Sequence, residues 1–267
     1  MLHLFLIIFV FAVLLLILTI SAKIGRWFGR KQLKLHPHHK LEVVAVAETS
    51  VFGLLALLIA FTFSGAYDRF ENRKIHIIEE ANAYDAALYN ISLVAPQYQP
   101  ELSEKIRQYI DLHLTAYHHL PHFKQVEKDL DQALQLEHEI WKIAVNASKN
   151  NPNESLAQVF IESINKMFDA AHTGMNLAKV HPPGIIFLLM ISLAGLGSFL
   201  IGYDSAETNH KRPIHTSSYI FLTAITIYII FNLEFPRTGF LDVQYFDQMI
   251  VDIRNHTNTA FASIFPF

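Results

Sequence analysis

Residues 43–74 read VVAVAETSVFGLLALLIAFTFSGAYDRFENRK. No charged side chain interrupts the stretch from Thr49 to Tyr67. A helix rising about 1.5 Å per residue needs roughly 20 such residues to cross about 30 Å of hydrocarbon. After Gly65 neither Gly nor Pro breaks the passage into the charged segment 68–74. The helix is therefore expected to leave the bilayer without interruption through Tyr67 and Lys74. Phe70, Ile77, Ala81, Tyr84, Leu88 and Ile91 continue one apolar face at helical spacing. A membrane helix that runs on as the first helix of a bundle is the pattern around which the remaining sequence is read.

Three further runs suit a membrane span. Leu2 to Ala22 holds a single titratable residue, His3. The rival reading, a cleaved signal peptide, requires a basic segment before an apolar core of about 7–15 residues; here the basic residues come after the run. Gly184 to Tyr203 follows Pro182 and Pro183, which suit a helix start. Ser217 to Leu233 carries Thr223, Thr226 and Asn232 but no ionisable group except Tyr. With 17% charged residues, against about 25% in soluble domains, and a mean hydropathy of +0.26, the chain has the composition of a membrane protein.

Segment 67–182 reads as four helices. The first ends at Pro96 and Pro100, the second runs from about Glu101 to Leu120, and the third from Phe123 to Ala147. The fourth starts at Asn151-Pro152, an N-cap and first-turn pair. An even number of antiparallel helices returns the chain to its starting side, as the third span requires. The predicted fold class is all-α: four transmembrane helices with a helical bundle inserted between the second and third. The predicted domains are 1–66 (two spans and a basic connector), 67–182 (soluble), 183–233 (two spans) and 234–267 (a tail).

Charge sets the expected orientation. The connector 23–44 carries Lys23, Arg26, Arg30, Lys31, Lys34 and Lys40 against Glu42, and 204–216 carries Lys211 and Arg212. Short loops rich in Lys and Arg stay cytoplasmic. The inserted domain and both termini are then expected on the opposite, non-cytoplasmic side, which in a bacterial inner membrane is the periplasm.

The net charge of −3 offers no nucleic-acid surface, and the absence of Cys removes disulfides, thiolate metal sites and Cys nucleophiles. No nucleophile–base pair or phosphate loop is legible. An enzyme is not expected, and no cofactor is implied. His36, His38 and His39 form one histidine group, and His113, His118, His119 and His122 another. Pro37 and Pro121 break any helical ligand spacing, so these read as surface or interfacial histidines and no metal site is expected.

Several residues carry two readings each. Glu48, near one end of the second span, is an interfacial anchor or part of an ion pathway. Gly53, Ala56, Ala60 and Ser64 form a small-residue stripe, and Leu57 and Phe61 follow Gly53 at four-residue steps. This stripe either packs against a helix or walls an oligomeric pore, where apolar constrictions gate by dewetting. Among Arg69, Arg73, His76, Glu79 and Glu80, the last shares the face of Ile77 and Tyr84. A carboxylate buried there needs a partner, which Arg73 or a neighbouring helix supplies. Structural pairing and ion handling are the two roles open to Glu48, Arg73 and Glu80.

The run Ala60 to Lys74, the segment Ile78-Ile-Glu-Glu-Ala-Asn-Ala83, and Leu233-Glu-Phe-Pro-Arg-Thr-Gly239 followed by Asp242-Val243 together resemble a family of bacterial membrane proteins called bestrophin-like. The stretch Ser64 to Lys74 is also similar to the one after the second span of bestrophin chloride channels. The resemblance implies a homo-oligomer, a pentamer by analogy, with Gly53, Leu57 and Phe61 facing a pore. It implies ions and the lipid bilayer as partners. It also implies a cytoplasmic insert, against the charge bias. The expected function is a homo-oligomeric ion channel or pore of bestrophin-like type; the alternative is a non-conducting, membrane-anchored helical scaffold or sensor.

Overall fold

A computed structural model describes residues 2–35, 42–120, 123–206, 213–237 and 246–255. Among these there are helices and no strands. Their order is α1 Leu2–Leu35, α2 Glu42–Asn90, α3 Gln99–His118, α4 Phe123–Lys149, α5 Glu154–Lys179, α6 Gly184–Asp204 and α7 Pro213–Glu234. An eighth, α8, covers 246–255. Two single 3-10 turns, Ile91–Leu93 and Pro96–Tyr98, separate α2 from α3. The chain folds as two compact units: Met1–Phe70 with His181–Leu241, and Glu71–Val180 with Asp242–Phe267. Among the described residues four stretches are long and apolar enough to cross a membrane: Ile8–Leu35, Val46–Leu93, Glu154–Asp204 and Ile214–Glu234. The third takes in α5 as well, but its apolar sequence is that of α6.

The first unit is α1, the leading part of α2, α6 and α7. Leu14, Leu18, Met190, Ala194, Ala224 and Ile227 are buried at its centre. α1 and α6 approach until their backbones meet. A Cβ on Gly25 would strike the carbonyl of Phe199, and one on Gly202 the carbonyl of Ala22. One on Gly29 would lie 2.6 Å from the Tyr203 carbonyl oxygen. Ser21 Oγ donates to the Gly195 carbonyl across the same seam at 2.7 Å. Small residues permit such an approach, which in lipid replaces the hydrophobic drive that water would supply. α1 consequently extends to Leu35, well into the segment expected to be a basic loop.

The second unit is the trailing part of α2 with α3, α4, α5 and α8. Its core holds Tyr84, Leu88, Ile106, Ile110, Ile140, Phe160 and Ile164. α2 ends at Asn90, short of Pro96, and the freed carbonyls find side chains: Gln99 Nε2 donates to Val94 O and Asn151 Nδ2 to Leu93 O, both at 2.8 Å. Asn151 therefore is not the N-cap of α5. That role falls to Asn153, whose side chain accepts from the Leu156 N–H at 3.3 Å. α8, inside the expected tail, buries Asp247 and Ile250, sets Arg254 Nη2 2.8 Å from Asp111 Oδ2, and brings Phe246 under Lys74 Nζ.

Candidate functional site: an uncovered face of the second helix

At about 100° per residue, Gly53, Ala56, Leu57, Ala60, Phe61 and Ser64 fall within an arc of roughly 140° on α2. All six are exposed. A Cβ added at Gly53 would meet nothing within 4 Å, and Phe61 is 70% exposed. The opposite side of the helix is covered, with Leu55, Thr62 and Ala66 buried. Other exposed faces of this unit present large aliphatic side chains, such as Ile185, Leu188 and Leu189 on α6 and Ile17 and Ile20 on α1. The arc on α2 instead alternates small residues with Leu57 and Phe61. Glu48 lies outside this arc and is half-buried.

Beyond the apolar stretch, Arg69 reaches Glu234 through Nη2 at 2.8 Å and Nε at 2.9 Å. His181 Nδ1 lies 3.1 Å from the other carboxylate oxygen, and its ring stacks on Phe235 at 4.6 Å. Glu234 is fully buried. A buried carboxylate is tolerable when charge-assisted hydrogen bonds replace its water, and this cluster ties the end of α7 to α2 and to the segment leading into α6. The sequence reading missed Glu234, although it lies in the Leu-Glu-Phe-Pro-Arg run. Its partners are 165 and 53 residues away.

In the second unit Arg73 is buried and donates to the carbonyls of Val180 at 2.8 Å and Leu177 at 3.4 Å, capping α5. Glu80 has no exposed surface and accepts from Tyr84 and Tyr117, each at 2.7 Å. A Cβ on Gly174 would strike the Tyr117 hydroxyl and come within 2.8 Å of Glu80 Oε2, so this glycine makes room for the carboxylate. Burial and the Glu80 carboxylate push the Tyr84 phenol well above its ordinary pKa, which keeps it a donor. His76 pairs with Glu79 at 2.8 Å, while Glu80 turns inward. Glu48 belongs to the first unit, and Arg73 and Glu80 to the second.

His113 corrects the expectation of surface histidines. It is buried against the Tyr109 ring at 4.6 Å, with Nδ1 unbonded among the described residues. Burial first, and His172 second, hold its pKa down at about 3, so it is neutral near pH 7. Its spacing from Ile106, Tyr109 and Ile110 was the signal for the core. His119 is bound to Asp129 at 2.7 Å. His36, His38, His39 and His122 lie outside the described residues, as do Lys211, Arg212 and Asp242-Val243. Among the described residues no three His, Asp or Glu are placed to hold a metal ion.

The helices thus define an all-α membrane protein with four spans among the described residues, which leave a small-residue face of the second span uncovered. Residues 5–245 match the model of the bestrophin-like domain, and the chain belongs to that family. Comparison with curated proteins gives no match. Solved structures of a bacterial bestrophin homologue from Klebsiella pneumoniae share the fold. One single-site variant has a TM-score of 0.69 at 12% identity, covering 94% of this chain and 97% of its own. A second variant gives 0.69 at 11%, covering 95% and 98%. A further structure of that homologue gives 0.68 at 13%, covering 93% and 98%.

Proposed function

We propose that the protein is a homo-oligomeric ion-conducting pore of bestrophin type, with the second helices gathered around a common axis and Gly53, Leu57 and Phe61 lining it. The observation that supports this most is the uncovered arc of α2. Small side chains there suit close approach by copies of the same helix, and Leu57 and Phe61 suit an apolar constriction that gates by dewetting. In this reading the helical segment 67–182 is the water-soluble insert. Arg73 and Glu80 serve its structure, and Glu48 anchors α2 at the interface.

Planar-bilayer recording of the purified protein, with the oligomer counted in the same sample, tests the proposal. Phe61→Ala should assemble normally and raise single-channel conductance several-fold, because it removes an apolar constriction. A well-folded oligomer without currents would sink the channel and leave a helical scaffold or sensor.

The proposed orientation puts Lys31 in the cytoplasm and Asn146 in the periplasm. Lys31→Cys and Asn146→Cys variants, treated with an impermeant maleimide on spheroplasts, should label at position 146 alone. Labelling at position 31 alone reverses the assignment.

A further inference from the structure

A cavity of about 490 Å³ lies within the first unit between α1, α6 and α7. Its chemistry is graded along the helices. On α1 its wall passes from Leu15 and Thr19 to Lys23 and Arg26, a distance of about 16 Å at 1.5 Å per residue. On α7 it passes from Phe221 and Ile220 to Ser217 and Thr216, in the opposite chain direction. The polar ends therefore coincide, and Ser205 of α6 joins them. Among the described residues no Asp or Glu lines the cavity.

Two observations mark the polar end as an anion site. Arg26 Nε is buried without a hydrogen-bond partner among the described residues. A buried guanidinium donor left unpaired is costly, and an anionic oxygen would satisfy it. Thr216 stands in the first turn of α7, where the helix dipole favours negative charge. The other end is apolar and belongs to membrane-crossing helices, with Phe221 half-exposed. A free inorganic anion would use only the polar end. A phospholipid would use both.

We infer that this cavity binds one anionic phospholipid, its phosphate on Arg26 and Lys23 and an acyl chain laid along Leu15 and Phe221. Basic pockets between membrane helices take anionic headgroups for this reason. The site uses no residue of the α2 arc and stands apart from the question of conduction.

Full-length protein, delipidated in detergent, is titrated with phosphatidylglycerol, with phosphatidylcholine and with inorganic phosphate. Bound lipid is counted by native mass spectrometry, and protection is read from thermal melts. Wild type should retain phosphatidylglycerol about tenfold more tightly than phosphatidylcholine, the factor that one charge-assisted hydrogen bond provides. Arg26→Gln should lose that preference, and Arg26→Lys should keep part of it. Lys34→Gln, outside the cavity on the same helix, should behave as wild type. Thr19→Phe keeps both cations but fills the groove, so it should lose the lipid even if Arg26→Gln proves poorly folded. An unchanged preference in Arg26→Gln or Thr19→Phe overturns the site. So does equal retention of the two lipids, or full protection by inorganic phosphate alone.

Discussion

Gly25→Leu should separate α1 from α6 and leave the membrane unit without its tightest seam. The Cβ alone would strike the backbone carbonyl of Phe199, and a backbone carbonyl within α6 cannot rotate away as a side chain would. Overpacking typically costs about 1–3 kcal/mol, and a clash with rigid backbone belongs at or above the upper end. The expected result is loss of the monodisperse peak in size-exclusion chromatography, or a melting temperature lowered by at least about 5 °C. Gly53→Leu is the control, because a Cβ there has open space within the protomer. It should retain the helical content and fold of the protomer while changing conductance. A Gly25→Leu protein that melts within a degree of wild type would show that the two helices do not approach this closely.

The second large effect is expected from Glu80→Ala. Removing the carboxylate leaves the Tyr84 and Tyr117 hydroxyls without the acceptor they share. Each unsatisfied buried hydroxyl costs about 1–3 kcal/mol, and the vacated volume adds to this. A total of about 3–5 kcal/mol is a large fraction of the stability of a domain. Hydrogen exchange should rise in α3 and α5, whose residues enclose the cluster. Glu80→Gln keeps the volume and one good acceptor, so its loss should be roughly half as large. The competing role is ion handling. It predicts the reverse: a Glu80→Ala protein with wild-type exchange and altered currents.

The sequence disclosed the spans because long apolar runs have few other uses. It disclosed the four helices of segment 67–182, and their apolar faces, because helical spacing is a local property. What it withheld depends on distant partners. Residues 23–35 look like a basic loop when their charges are counted, but Gly25 and Gly29 make them helix by fitting against α6. Asn151 and Asn153 are both acceptable caps, and the choice is made by Leu93, whose carbonyl engages Asn151. α8 covers only 246–255, so Phe246 and Ile250 gave too little periodicity to be heard. Of the candidate site, the face carrying Gly53, Leu57 and Phe61 was legible as a pattern. That it lies uncovered was not, since exposure depends on where α1, α6 and α7 pack. Glu80 was legible as an inward-facing acid, but its acceptance of Tyr117 from another helix was not.

The seam between α1 and α6 also sets an order of events during synthesis. Ser21 and Gly195, joined across it, are 174 residues apart. At roughly 5–20 residues per second, α1 waits about ten to thirty-five seconds before α6 has been made. Throughout that interval the groove formed by Gly25 and Gly29 has no match in its own chain and must be occupied by lipid or by the insertion machinery. The Ser21 hydroxyl can meanwhile turn back to a carbonyl of its own helix. The same glycines that make the finished contact so close leave the nascent helix open to wrong partners for as long as translation lasts.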